Sequence, residues 1–303
     1  MTGMSRRNAL QLLAAAMSGF VVPHAAAATP IITRAIPASG EQIPVIGLGT
    51  WQTFDVGASR SERAPLEEVL AEFVALGGKL IDSSPMYGNS EAVAGDIAAA
   101  LGLRSRLFIA TKVWTQGKTA GIRQMEESMQ KLRAKPIDLM QIHNLVDVQT
   151  HLATLREWKR QGIVRHIGVT HYTASAHGEV ARIVETEPLD LIQINYSVGE
   201  REAEQRLLPL AKERGVAVIV NRPFVGGNLL RKLRDKPLPG WATEIDCDSW
   251  AQALLKFVIS HPAITSAIPA TSKVAHLRDN MKAGHGRLPD EKLRTRIAAD
   301  ALE

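Results

Sequence analysis

The chain nearly lacks cysteine. Cys247 is its only one, so no disulfide can form within the chain and the fold must be held by its core. That thiol stands among Asp246, Asp248 and Ser249, just before a helical stretch, where a structural role is expected. Charge of one sign is also scarce. The formal balance is +5, and without Arg6 and Arg7 there are 34 basic residues against 31 acidic ones. The bases are scattered over helix faces, so no nucleic-acid partner is expected. No linker, low-complexity tract or short repeat interrupts the sequence, and it reads as one domain. His143, His166 and His171 form no ligand set with Asp or Cys, so no metal is expected.

An uninterrupted membrane span is missing too. The N-terminal apolar stretch, 9–22, is short for a bilayer and contains Ser18 and Gly19, with Pro23 just beyond. Ser5-Arg6-Arg7-Asn8 precedes it and Ala25 to Ala28 follow it. A charged start, a short apolar middle and small residues at the end predict an export signal over 1–28, cleaved near Ala27 or Ala28. Paired arginines after a serine resemble a twin-arginine signal. The expectation is a periplasmic or exported protein, passed by the twin-arginine machinery, with no stable membrane span after cleavage. Residues 29–303 then form the domain.

From there the pattern alternates. Ile31 to Ala35 and Gln42 to Ile46 flank Pro37-Ala38-Ser39-Gly40, which predicts a hairpin. Apolar strand patterns follow at 46–49, 79–82, 107–112, 138–143, 166–170, 191–195, 216–221 and 265–269. Helical patterns fall at 65–76, 90–101, 121–133, 148–161, 175–186, 200–214, 248–260, 274–282 and 290–301. Pro65 suits the first turn of its helix. This alternation predicts an α/β fold, a (β/α)8 TIM barrel with an N-terminal β-hairpin; roughly 275 residues after the signal suit that fold. A doubly wound open sheet would instead place a GxGxxG turn after the first strand, where this chain has Gly47-Leu48-Gly49-Thr50-Trp51.

Four polar residues lie at or just beyond consecutive strand ends: Asp82, Tyr87, Lys112 and His143. In a parallel barrel those ends share one rim, where chemistry is carried out. A tyrosine hydroxyl titrates near 10 and is a poor acid at neutrality. A neighbouring ammonium favours the tyrosinate, and a carboxylate can orient that ammonium. Together with an imidazole they make a proton donor for a carbonyl. Each residue alone has a structural reading, Asp82 and Lys112 as a buried ion pair and His143 as a satisfied rim histidine.

These residues and their surroundings resemble the aldo-keto reductase family across the whole length after the signal. The matches are Gly47-Leu48-Gly49-Thr50-Trp51, the run Ile81-Asp82-Ser83-Ser84-Pro85-Met86-Tyr87-Gly88-Asn89-Ser90-Glu91, Thr111-Lys112-Val113-Trp114 and Gln141-Ile142-His143. The resemblance implies Tyr87 as general acid/base, Lys112 and Asp82 as the groups that tune it, and His143 as the group that orients the carbonyl. It implies a nicotinamide cofactor held by Thr170, His171 and Gln193, with the loop at Arg222, Phe224 and Gly226 against its pyrophosphate. Ser272, Lys273, His276 and Asn280 would hold the adenosine half; Lys273 favours NADP(H), with NAD(H) as the alternative.

The chain departs from the family at three places. Thr170-His171 stands where Ser-Asn is usual, His276 where many relatives have arginine, and Asn221 where an aromatic commonly stacks on the nicotinamide. Trp51, Phe54, Met86, Trp114, Asn144 and Phe224 are the expected substrate contacts, apolar walls around a polar centre. The expected activity is NADP(H)-dependent reduction of a small-molecule aldehyde or ketone. Alcohol or sugar oxidation by the same residues, and nucleotide sensing without turnover, are the alternatives.

Overall fold

Pro37 to Gly40 turn the chain back on itself and pair β1 (Thr33–Ala35) antiparallel with β2 (Gln42–Pro44). The computed structural model describes residues 30–303, so the expected signal at 1–28 lies outside the described residues. Eight parallel strands follow: β3 (Leu48–Gly49), β4 (Leu80–Asp82), β5 (Phe108–Val113), β6 (Ile137–His143), β7 (Val164–Thr170), β8 (Leu191–Asn195), β9 (Ala217–Asn221) and β10 (Ser266–Ala267). Each pairs with the next in sequence, and the parallel bridges Ile46–Ala267 and Gly49–Ala270 join the last strand to the first. The result is a (β/α)8 barrel.

Alternation along each strand divides the core in two. Ile81, Ile109, Met140, Ile142, Ile192 and Val218 point outward and pack beneath the helices. Leu80, Phe108, Ala110, Leu139, Leu191 and Ile219 fill the lumen, and Ile36 and Ile43 of the hairpin close its N-terminal mouth. The lumen is tight enough to demand glycine: a Cβ at Gly168 would lie 2.3 Å from the Leu191 carbonyl oxygen, and one at Gly47 or Gly49 would lie 2.9 Å from the carbonyl oxygen of Leu80 or Ile268. The same parity carries Asp82, Lys112, Gln141, His143, Thr170, Gln193 and Asn221 to the C-terminal end, because each is two or four residues beyond an apolar lumen residue or glycine.

The helices are α1 (Arg60–Ala75), α2 (Ser90–Ala100), α3 (Lys118–Lys131), α4 (Val148–Arg160), α5 (His177–Thr186), α6 (Leu207–Glu213), α7 (Asn228–Lys232), α8 (Trp250–Ser260), α9 (Val274–Lys282) and α10 (Glu291–Leu302). Three depart clearly from expectation, among them α7, which lies where no helix was expected. α1 begins at Arg60, not at Pro65, because Ser59 caps it by accepting from the Glu62 amide, a Ser-x-x-Glu signature. The single helix expected at 200–214 is a short 3-10 turn at Glu202–Glu204 and then α6. Pro209 cannot sit inside a long helix but fits the first turn of a short one, so the chain breaks at Arg206. Among the described residues no helix is long and apolar enough to cross a membrane.

Candidate active site

β4 and β5 place their last inward residues against each other. Lys112 is fully buried, and its Nζ donates to Asp82 Oδ2 at 2.6 Å and to the Ser83 carbonyl at 2.7 Å. The other Asp82 oxygen, Oδ1, accepts from Gln193 Nε2 at 2.8 Å and Gln141 Nε2 at 3.2 Å. The carboxylate is therefore fixed from three strands. The loop after β4 brings the Tyr87 ring over this pair, 5.0 Å from Lys112 Nζ. His143 ends β6 with its ring edge-on to Tyr87, centroids 6.0 Å apart, and its Nδ1 lies 3.1 Å from Ser84 Oγ. The four residues singled out in the sequence are thus brought together at the rim.

Environment divides their protonation. Burial pushes the Tyr87 hydroxyl above its ordinary 10.0, while Lys112 pulls in the opposite direction. Burial also works against the Lys112 ammonium, but Asp82 and Tyr87 hold its pKa above 10.5. His143 is driven down to about 3, by burial first and then by the Lys112 charge and His171. At neutral pH the site holds a protonated tyrosine, an ammonium paired with a carboxylate, and an uncharged imidazole. That combination can donate a proton to an oxygen and hydrogen-bond it without a competing cation at the imidazole.

These groups open into a cavity of about 1130 Å³ lined by residues from Gly49 to Asn280. That exceeds the roughly 300–1,000 Å³ typical of a single small-ligand pocket, so it has room for two ligands side by side. Trp51, Met86, Tyr87, Trp114, His143 and Asn144 line one part; Thr170, Gln193, Asn221, Arg222, Phe224, Gly226, His276 and Asn280 line the rest. Four expected contacts lie outside the lining. Phe54 is in the core, because the turn in which its amide bonds the Thr50 carbonyl at 3.0 Å sends its side chain inward. His171 instead stacks on Tyr172, centroids 5.5 Å apart, and its carbonyl oxygen holds Asn221 Nδ2 at 3.2 Å. Ser272 and Lys273 are exposed just before α9 and are not part of the lining; the Lys273 amide donates to the Thr271 hydroxyl at 3.1 Å.

Sequence reading missed Tyr172, Arg231 and Arg234, which also line the cavity. Tyr172 carried the signal that singled out Trp51 and Trp114, an aromatic just past a strand end. The two arginines sit in or after α7, a helix too short to show periodicity.

The cavity's polar atoms are incompletely paired. Asn144 Oδ1, Asn221 Oδ1 and Arg222 Nε are buried with no partner. Asn221 Nδ2 faces two acceptors, the His171 carbonyl and Gln193 Oε1, which fixes which end of its amide is left over. Arg222, Arg231 and Arg234 form no ion pair with a carboxylate among the described residues. Beside them Gly226 and Gly227 take φ of +62° and +85°, the left-handed turn in which backbone amides can face an anion. Orphaned polar atoms, guanidinium groups not neutralised by a carboxylate and such a turn suit the phosphates and amide of a nicotinamide dinucleotide.

Comparison with known proteins agrees with this geometry. Residues 45–299 match the aldo/keto reductase family. The methylglyoxal reductase YeaE of Escherichia coli K12 is 29% identical over 255 residues, covering 82% of this chain and 88% of that protein. The methylglyoxal reductase DkgB of Escherichia coli O157:H7 is 28% identical over 265 residues, covering 85% and 93%. An aldo/keto reductase from Klebsiella pneumoniae, solved with NADP and acetate, superposes with a TM-score of 0.73 at 24% identity, covering 86% of this chain and 92% of that one. With its barrel, its rim cluster and a family match spanning residues 45–299, the chain belongs to the aldo/keto reductase family of oxidoreductases.

Proposed function

We propose that this protein reduces aldehydes or ketones to alcohols with NADPH, using Tyr87 as the proton donor. The observation that carries the reading is the Tyr87 hydroxyl, kept protonated by burial, beside the buried Lys112–Asp82 pair and the uncharged His143. NADPH, when bound, would supply the hydride that the carbonyl carbon accepts. Tyr87 gives its proton to the carbonyl oxygen, and solvent restores it. Lys112 stabilises the tyrosinate left behind, and Asp82 holds Lys112 in place. His143 donates a hydrogen bond to the same oxygen and positions it. A tyrosine raised above 10.0 rests in its protonated form at neutral pH, the form that reduction of a carbonyl requires.

Arg222, Arg231, Arg234 and His276, all on the cavity wall, suit a cofactor with an extra phosphate, and the NADP-bound relative supports that choice. Thr170, Gln193 and Asn221, all on the cavity wall, suit the nicotinamide amide as polar partners. Loss of nicotinamide absorbance with a panel of aldehydes and ketones, using NADPH and NADH in parallel, tests the reading. Turnover with NADPH supports it; tight NADPH binding with no turnover on any carbonyl would favour the sensor. We further infer that residues 1–28 direct export, supported by Ser5-Arg6-Arg7 before the apolar stretch and the alanines after it. Cell fractionation with N-terminal sequencing tests this, and a full-length cytoplasmic protein would refute it.

A further inference from the structure

We propose that Asp300, in the last turn of α10, is a positioning residue that holds the arginines after β9 at the cavity and so sets the preference for NADPH over NADH. This rests on the reading of Arg231 and Arg234 as partners of the extra phosphate and accounts for what keeps them in place. Residues 222–236 carry five cations, Arg222, Arg231, Lys232, Arg234 and Lys236, against one acid, Asp235. Crowded like charges repel one another. Regular structure in this stretch is limited to the five residues of α7. Its placement therefore depends on what grips it from behind.

The end of α10 supplies that grip. The last carbonyls of a helix have no partner within it and form the negative end of its dipole. Here Lys236 Nζ donates to the Asp300 carbonyl at 2.5 Å, and Lys232 Nζ donates to the Leu302 carbonyl. Neither lysine lines the cavity, whereas Arg231 and Arg234 do. The Asp300 side chain makes a third bond, its Oδ2 accepting from the Trp241 indole at 2.6 Å. Trp241 is buried in a 3-10 turn, Gly240–Ile245, edge-on to Trp250 of α8 with centroids 5.8 Å apart. Trp250 in turn donates to the Lys236 carbonyl at 2.8 Å. Lys236 is thus held twice, its ammonium by α10 and its carbonyl by α8.

α10 is a firm base for this clasp. Its Arg294 is buried, lies over the Phe257 ring of α8 at 4.2 Å, and donates to Ser260 Oγ at 2.8 Å, the Tyr196 hydroxyl at 2.7 Å and Glu204 at 2.9 Å. Ile297 and Ala301 of the same helix pack in the core. Of the acceptors that α10 offers the segment, Asp300 Oδ2 alone belongs to a side chain and can be removed by substitution. Without it the segment gains freedom, and nucleotide binding must order it again at a cost in affinity. That cost falls on the nucleotide that uses the arginines.

Fluorescence titration of NADPH and of NADH, with no carbonyl substrate present, tests this. The wild-type protein should bind NADPH the more tightly. Asp300→Ala should weaken NADPH binding by about fivefold, the counterpart of one net hydrogen bond, and change NADH binding by less than about twofold. Trp241→Phe, which removes the donor and keeps an aromatic ring, should act in the same way. Asp300→Asn retains an acceptor and should keep most of the wild-type preference. Once Arg231→Leu and Arg234→Leu are both in place, adding Asp300→Ala should change the ratio of the two affinities by less than about twofold, because Asp300 acts through those arginines. A further fall of about fivefold in that background would place its action elsewhere and overturn the proposal. So would a ratio unchanged in both Asp300→Ala and Trp241→Phe, or equal losses for the two nucleotides. Equal binding of NADPH and NADH by the wild-type protein would instead sink the reading of the arginines as phosphate partners, and the proposal with it.

Discussion

The two ends of the barrel both gather charged and titratable groups, yet they are built on opposite terms. At the N-terminal end Asp138 meets Arg165 at 2.6 Å and Arg104 at 3.6 Å and accepts the Ile109 amide at 2.8 Å. Glu41, just before β2, pairs with Arg165 at 2.6 Å, and Lys159 grips Asp190 at 2.6 Å. Opposite charges are matched, and the hairpin covers the lumen. At the C-terminal end Asn144 Oδ1, Asn221 Oδ1 and Arg222 Nε lack partners, and Asn144, Leu145, Asp147, Arg222 and Val225 hold positive φ without being glycine. Such backbone conformations cost energy and persist where the surroundings enforce them. A cluster of charges alone therefore marks no site. Unpaired polar atoms, strained backbone and exposed rings together do.

Breaking the buried Lys112–Asp82 pair at the C-terminal end should have the largest effect. Lys112→Met strands Asp82 in the lumen, and loss of a buried partner costs about 3–5 kcal/mol. Chemical denaturation should show that loss, together with a collapse of turnover. His143 sharpens the contrast through pH. Its folded pKa of about 3 lies below the unfolded 6.5, so the unfolded chain takes up the proton first as pH falls. The stability it contributes is complete above 6.5 and is lost toward 3, at up to about 1.4 kcal/mol per pH unit. Thermal melts across that range should fall less steeply for His143→Asn than for the wild-type protein.

At the opposite end Asp138→Ala should cost about 2 kcal/mol by leaving a buried amide and two guanidinium groups short of an acceptor. Its kcat/KM should match the wild-type value, and a large drop in kcat/KM would erase the distinction between the two ends. The smallest effect is expected at Arg222. Arg222→Leu should weaken NADPH binding by about tenfold, in line with one lost charge-assisted hydrogen bond, with little change in melting temperature. Fluorescence titration of the bound nicotinamide would measure it.

Much of this was legible in the sequence, for identifiable reasons. The eight strands and the rim cluster could be read because strand parity is strict: Leu80 inward and Ile81 outward leave Asp82 no other direction. Phe54 could not be placed, since an aromatic after a strand end reads alike whether the turn at Thr50 sends it inward or outward. Lys273 is exposed and outside the cavity lining, a position that the sequence around it does not disclose. Arg231 and Arg234 reach the cavity only through the path of the loop after β9, which depends on the left-handed turns at Arg222 and at 225–227. The missing partners of Asn144 and Asn221 belong to three-dimensional packing and have no linear signature.

Stopped-flow single turnover of Tyr87→Phe with NADPH and phenylglyoxal, alongside the wild-type protein, tests the central claim most directly. Tyr87→Phe removes one hydroxyl and leaves the ring beside His143 and Lys112. The account predicts NADPH affinity and melting temperature close to wild type, with hydride transfer slowed by roughly 10²–10⁴-fold, the usual contribution of a positioned acid. Transfer at a near wild-type rate in this variant would contradict it and remove Tyr87 as the proton donor.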